Sequence, residues 1–340
     1  MATNESGLKE YLVERIATRS SYDGLLRFPS YLEIETVNAC NARCPMCTIT
    51  HWKRAGRPMT DELFGKIARE AIEHAGDLKR VNLYRDGEPL LDKKLGPRVS
   101  MLKDGGVKNV CVSTNVSLLD EARSKELLGA GLDTVIMSID SLDKKTFEAI
   151  RSRLVFEEVM ANALRFIGLR DQLRPRTRIW MRMIRQRSNR DEWPAYQEFW
   201  SKRLGPSDRV YYHNIFNWGS QLTGFTPVAR SYEPNLPCVA LWSLMVIFTN
   251  GDVPLCNVDF NAKFQVGSVL KDGIAGLWRS ERMNDIRQAH LKGSKSRIRI
   301  CKDCNVWDEP SDERAVSPRY AEPVDIGGDG PASPRRRKAP

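Results

Sequence analysis

The sequence predicts an α/β fold: a parallel sheet followed by a smaller, cysteine-bearing unit. Three observations lead there. Short apolar runs alternate with amphipathic segments from Tyr31 to about Asn214, and small polar residues gather where the runs end. From Pro237 onward the alternation gives way to spaced cysteines. Strands that alternate with helices imply parallel pairing, though alternation alone allows a doubly wound sheet as well as a barrel.

Taken in order, residues 1–30 form an N-terminal extension. Leu8, Tyr11, Leu12 and Ile16 are at helical spacing, and the polar stretch Arg19 to Gly24 reads as a turn. The expected strands are Leu32 to Val37, Val81 to Tyr84, Asn109 to Ser113, Thr134 to Ile139, Arg178 to Ile184 and Arg209 to Tyr212. Between them lie helical patterns at Thr60 to Ala75, Asp120 to Ala130, Asp143 to Arg151, Phe156 to Leu169 and Asn189 to Lys202. Residues 31–225 are therefore expected as the main domain and 226–312 as a second one. The Pro, Gly and Arg of 313–340 carry no apolar periodicity and read as a disordered basic tail.

With 340 residues the chain can bury a substantial core. Apolar content of 41% and charge of 28% are those of a globular protein. The polar N-terminus lacks the pattern of a signal peptide, and the apolar stretch around Val239 to Phe248 is too short to span a bilayer. A net charge of +10 raises the question of a nucleic-acid partner, yet Arg335 to Lys338 supply four of those charges without aromatic residues for base stacking. Nucleic acid and membrane are accordingly not expected as partners. The sequence has eight cysteines, and the spacings C-x-x-x-C-x-x-C and C-x-x-C among them favour metal ligation in a reducing compartment, the cytoplasm, over disulfides.

The central motif is Cys40-Asn-Ala-Arg-Cys44-Pro-Met-Cys47, directly after the first strand. Three thiols on one loop can hold three irons of a four-iron cluster, leaving the fourth iron open. This loop resembles that of the radical S-adenosylmethionine (SAM) superfamily, with Met46 where an aromatic residue near the adenine is usual. The resemblance implies a partial (β/α)6 TIM-like barrel and a [4Fe–4S] cluster whose open iron is chelated by SAM.

Further short motifs fall at expected strand ends, where the chemistry of parallel barrels is placed. Asp86-Gly87-Glu88-Pro89 resembles the family's Gly-Gly-Glu-Pro, which contacts the SAM amine, with Asp86 replacing a glycine. Ser113-Thr114-Asn115-Val116 resembles Ser-Thr-Asn-Gly, which approaches the SAM ribose and carboxylate, and Ser138-Ile139-Asp140 resembles Ser-Ile-Asp. By this resemblance Met46, Asp86, Gly87, Glu88, Ser113, Asn115 and Ser138 are expected to bind the cofactor. Arg182 interrupts the apolar strand Ile179 to Ile184. A buried guanidinium needs an anionic or hydrogen-bonding partner, so Arg182 is a candidate for SAM's carboxylate or for substrate. His213 follows the sixth strand and is a second catalytic candidate.

Cys238, Cys256 and the Cys301-x-x-Cys304 pair supply four thiols, a closed set suited to structural zinc or a fully ligated cluster. Ahead of Cys256, Leu244 to Phe248 followed by Thr249-Asn250-Gly251 reads as a hairpin. The set resembles the first-cluster half of a SPASM domain, or a twitch domain, and implies one auxiliary [4Fe–4S] cluster. Cys111, inside an apolar strand, reads as core.

The resemblance implies an enzyme that cleaves SAM reductively and abstracts hydrogen from substrate with the 5′-deoxyadenosyl radical, fed by an electron donor such as flavodoxin or ferredoxin. A small hydroxylated metabolite, such as a sugar, aminocyclitol or nucleoside, is the favoured substrate, oxidised with the auxiliary cluster as acceptor. A peptide maturase is the main alternative; epimerisation, decarboxylation or deoxygenation of a sugar stays open. A zinc-containing nucleic-acid-binding protein is the distant one.

Overall fold

The computed structural model describes residues 4–16, 19–54, 56–222, 224, 236–302 and 304. Its centre is a curved sheet of strands β1 (Tyr31–Ile34), β2 (Arg80–Asn82), β3 (Val110–Thr114), β4 (Thr134–Ser138), β5 (Arg178–Arg185), β6 (Arg209–Asn214) and β7 (Leu244–Ile247). They lie in the order β6-β5-β4-β3-β2-β1-β7, and each neighbouring pair is parallel. The first six strands are thus neighbours in chain order across the sheet, as in a (β/α)6 barrel.

Crossover helices form where the apolar spacing places them and start at side-chain caps. Thr60 Oγ1 accepts from Leu63 N at 3.2 Å ahead of the helix Asp61–Glu73. Asp120 and Asp143 cap Glu121–Gly129 and Lys144–Ile150 in the same way, each accepting at 2.8 Å. Because both faces of these strands are covered, β3 and β4 are buried along their whole length.

Two expectations are corrected. The stretch Arg19 to Gly24 enters a second helix, Tyr22–Arg27, whose cap is Ser21 accepting from Gly24 N at 3.2 Å. A Ser ahead of apolar residues starts a helix as readily as it makes a turn. The apolar strand Leu244–Ile247 meets the segment after the turn through Phe248 N, which donates to Asp252 O at 2.9 Å, but its ladder is parallel with β1, Tyr31 opposite Leu244 and Ile34 opposite Ile247. The turn does form, with Gly251 N donating to Phe248 O at 2.9 Å. The strand beyond it, β8 (Asp252–Pro254), pairs antiparallel with β9 (Gln265–Ser268).

The C-terminal segments are tied to the rest from both ends of the chain. Trp242 Nε1 donates to Tyr22 Oη at 3.0 Å and Trp278 Nε1 to Leu25 O at 3.0 Å, so the N-terminal helices cover the cysteine-bearing region. Glu70, on the first crossover helix, accepts from Ile274 N and Ala275 N at 2.8 and 2.7 Å. The basic tail of the sequence lies outside the described residues.

Candidate active site

Beyond β1 the cysteine loop runs over the C-terminal edge of the sheet. Cys40, Cys44 and Cys47 line one side of a cavity of about 240 Å³. Neighbouring strand ends hold the loop from outside. Asn115 Nδ2 donates to Asn41 Oδ1 at 2.9 Å and comes within 4.0 Å of Cys40 Sγ, while Asn41 Nδ2 donates to Ser117 Oγ at 2.8 Å. Within the loop, Arg43 donates to Cys40 O and Ala42 O at 2.7 Å each. Burial pushes the Cys40 thiol up to about 11 and the Cys47 thiol up to about 12. These thiols lose their protons when a metal takes their place.

The Asp86–Pro89 turn packs directly on this loop. Glu88 N donates to Ala39 O at 2.8 Å, and a Cβ on Gly87 would sit 2.5 Å from Val37 O and 2.6 Å from Ala39 O. Only glycine allows the two backbones to approach so closely. The Glu88 carboxylate is buried and turned inward, accepting from Thr114 Oγ1 (2.7 Å), Asn115 N (2.8 Å) and Leu90 N (3.1 Å). It therefore fixes the turn against the end of β3. Burial raises its pKa above the usual carboxylate range, while those donors oppose the shift.

Asp86 stands in place of a glycine because it has cationic partners. Its carboxylate meets Arg54 at 3.1 Å and Arg85 at 3.0 Å. Arg54 also grips Glu35 with two bonds of 2.6 and 2.9 Å, donates from Nε to Phe260 O at 2.7 Å and stacks on Phe248 at 3.6 Å. One guanidinium thus joins the end of β1, the Asp86–Pro89 turn and the C-terminal region.

Val116 explains the third motif's departure from the family pattern. Its φ is +72°, the left-handed region where glycine is common. The turn survives because Asn162 Nδ2 donates to Val116 O and Ser117 O, both at 3.1 Å, and because the valine side chain is buried.

Met46, Asp86, Gly87, Glu88, Ser113, Asn115, Ser138, Arg182 and His213 all line the same cavity as the three cysteines. Arg182 donates to Ser138 Oγ at 2.6 Å and Ser113 Oγ at 3.1 Å, while its Nε has no partner. His213 is nearly buried and meets Tyr211 edge-on at 5.3 Å. Met46 O accepts from Trp218 Nε1 at 3.2 Å, closing the loop's far side.

Sequence reasoning misses Arg151, as it misses Arg54. Arg151 is ion-paired to Asp140 at 2.6 Å, lines the cavity and favours the thiolate of Cys44. Asp140 also accepts from Ile184 N at 2.7 Å, so it anchors Arg151 without facing the cavity itself. No periodic signal marks either arginine, because their partners are brought to them by the fold.

The second cysteine set assembles at the other end of the chain. Burial raises the Cys256 thiol, and Cys238, Cys301 and Cys304 all lie close enough to add to that effect. Cys301 N donates to Ile298 O at 2.9 Å, and Cys238 N to His290 Nδ1 at 3.2 Å. None of the four lines the cavity.

A parallel sheet carrying three thiols on one loop and a separate four-thiol set defines an enzyme that holds iron–sulfur clusters. Among the described residues no group of three His, Cys, Asp or Glu closes around a single metal ion. Three thiols facing a cavity suit a four-iron cube, which takes each thiolate on a different iron.

Comparison with known proteins agrees. Residues 34–169 match the radical SAM superfamily model, and residues 238–305 match the iron–sulfur cluster-binding domain SPASM. The chain belongs to the radical SAM superfamily, with a C-terminal auxiliary-cluster domain.

Its relatives include the S-adenosyl-L-methionine-dependent 2-deoxy-scyllo-inosamine dehydrogenase of Niallia circulans, 24% identical over 81% of this chain and 92% of that protein. A GTP 3′,8-cyclase of Chlorobaculum tepidum is 30% identical over 51% of this chain, and the match spans only 50% of the cyclase. The fold is shared with BtrN in complex with AdoMet and 2-DOIA (TM-score 0.56, 21% identity, 81% of this chain and 92% of that one). It is shared also with Streptococcus suis SuiB bound to S-adenosylmethionine (TM-score 0.60, 15% identity, 82% and 71%). The two matched domains mark an enzyme whose cofactors are SAM with a [4Fe–4S] cluster and, in the C-terminal domain, an auxiliary iron–sulfur cluster.

Proposed function

We propose that the enzyme abstracts hydrogen from a small hydroxylated metabolite, a sugar, aminocyclitol or nucleoside, and oxidises it. The observation that carries this reading is the single cavity that gathers Cys40, Cys44 and Cys47 with Ser138, Arg182 and His213. A [4Fe–4S] cluster held by Cys40, Cys44 and Cys47 would supply the electron for SAM cleavage and so the radical that takes the hydrogen. The protein's residues do the rest. The turn at Asp86–Glu88 and the ends of β3 and β4 orient SAM, with Arg182 beside Ser113 and Ser138 as the cationic contact. Trp218 holds the loop in place through its bond to Met46 O.

The four-thiol set leaves no position open for substrate, which suits an electron acceptor for the second half of an oxidation. The likeness to a SAM-dependent dehydrogenase over most of both chains supports the same direction. A flavodoxin or ferredoxin in the cytoplasm would supply the first electron. Among the described residues no helix is long and apolar enough to cross a membrane.

The test is anaerobic incubation of the reconstituted enzyme with SAM, a strong reductant and a panel of aminocyclitols, sugars and nucleosides deuterated at their carbinol carbons. The expected result is deuterium in 5′-deoxyadenosine together with a ketone product from at least one of them. Transfer of deuterium without any oxidised product would point to a redox-neutral reaction.

A further inference from the structure

The cavity's inner end holds a cation that the cofactor reading does not use. Arg80, at the start of β2, is 5% exposed and lines the cavity beside Trp180. Its Nε has no hydrogen-bond partner, and among the described residues no carboxylate forms an ion pair with it. Its guanidinium lies over Trp180 at 5.1 Å and over Tyr31 at 5.5 Å. Two cation–π contacts are small beside the cost of burying a full charge. The surroundings add to the positive field, since Arg178 and Arg209 stand over the same indole at 5.8 and 5.4 Å. The acidic residue facing the cavity nearby, Glu33, lies 3.5 Å from Arg85.

We propose that this inner end is an oxyanion subsite, in which Arg80, backed by Trp180, takes a carboxylate or phosphate group carried by the substrate. The proposal rests on the reading of the cavity as the place of hydrogen abstraction, and narrows its substrate to an anionic one. SAM's own carboxylate is the competing source. Arg80 opens β2 level with Tyr31 at the start of β1, the sheet end opposite the cysteine loop, whereas SAM's carboxylate is expected at the cysteine end. A substrate held by an anion at Arg80 would point its other end toward the cysteine loop, where the hydrogen is removed.

The experiment titrates the reconstituted, SAM-loaded enzyme with inorganic phosphate and, separately, with acetate, by calorimetry. The expected result is saturable binding of one or both anions, weakened about tenfold or more in Arg80→Met, which corresponds to about 1.4 kcal/mol. Arg80→Lys should retain part of it, and SAM affinity should be unchanged in both variants. If Arg80→Met fails to fold, Arg80→Gln checked by circular dichroism takes its place. Absence of saturable binding, or equal binding by a folded charge-free variant, overturns the subsite. An enzyme that makes 5′-deoxyadenosine yet binds neither anion overturns the subsite alone. One that binds anions through Arg80 yet cleaves no SAM upholds the subsite and overturns the functional reading.

Discussion

The two cysteine sets differ in how they are made and in what they face. Cys40, Cys44 and Cys47 sit within eight residues, on a loop that side chains from other strand ends hold in place, and they open onto a cavity. Cys238, Cys256, Cys301 and Cys304 are spread over 67 residues and held by local turns and by the bond from Cys238 N to His290, away from that cavity. A contiguous loop can leave one side free because its neighbours supply the rigidity. A dispersed set is itself a crosslink, so its ligands are spent on closure. In the proposed function the open set starts the chemistry and the closed set serves it.

Removing the open set should have the largest effect. Cys40, Cys44 and Cys47 replaced together by alanine should lower iron from about eight to about four per chain and abolish 5′-deoxyadenosine formation. Iron analysis beside chromatography of the products checks both.

The next effect tests the link between the two regions. Arg54→Ala leaves Glu35 and Asp86 buried without their shared partner and breaks the bond to Phe260 O. Loss of one member of a buried pair costs about 3–5 kcal/mol, which denaturant titration should detect. A loss below about 1 kcal/mol would mean that Arg85 alone holds Asp86 and that the regions are not joined through Arg54.

Much of this is legible in the sequence because it depends on local pattern. The strand and helix alternation, the cysteine loop and the strand-end motifs all arise from residues near one another in the chain. The features that escape the sequence depend on long-range pairing. Leu244–Ile247 reads as half of a hairpin because nothing in it announces β1 as its neighbour. Arg54 finds Glu35 19 residues away and Phe260 206 residues away. Arg80 reads as an ordinary charged residue before a strand until the fold buries it.

Val116→Gly should have the smallest effect. Relief of a left-handed valine gains about 1–2 kcal/mol, and loss of its burial costs about 1.5–3 kcal/mol. The two nearly offset, so a net destabilisation of about 1 kcal/mol is expected, with SAM cleavage retained. Thermal unfolding of the paired proteins checks it. A large loss would show that the valine side chain itself shapes the turn after β3.

The division of labour between the two sets is tested most directly by replacing Cys301 and Cys304 together with alanine. In folded protein, iron should fall from about eight to about four per chain while 5′-deoxyadenosine still forms and oxidised product falls sharply. Loss of 5′-deoxyadenosine from a folded variant whose Cys40/Cys44/Cys47 cluster remains visible by electron paramagnetic resonance would contradict the division.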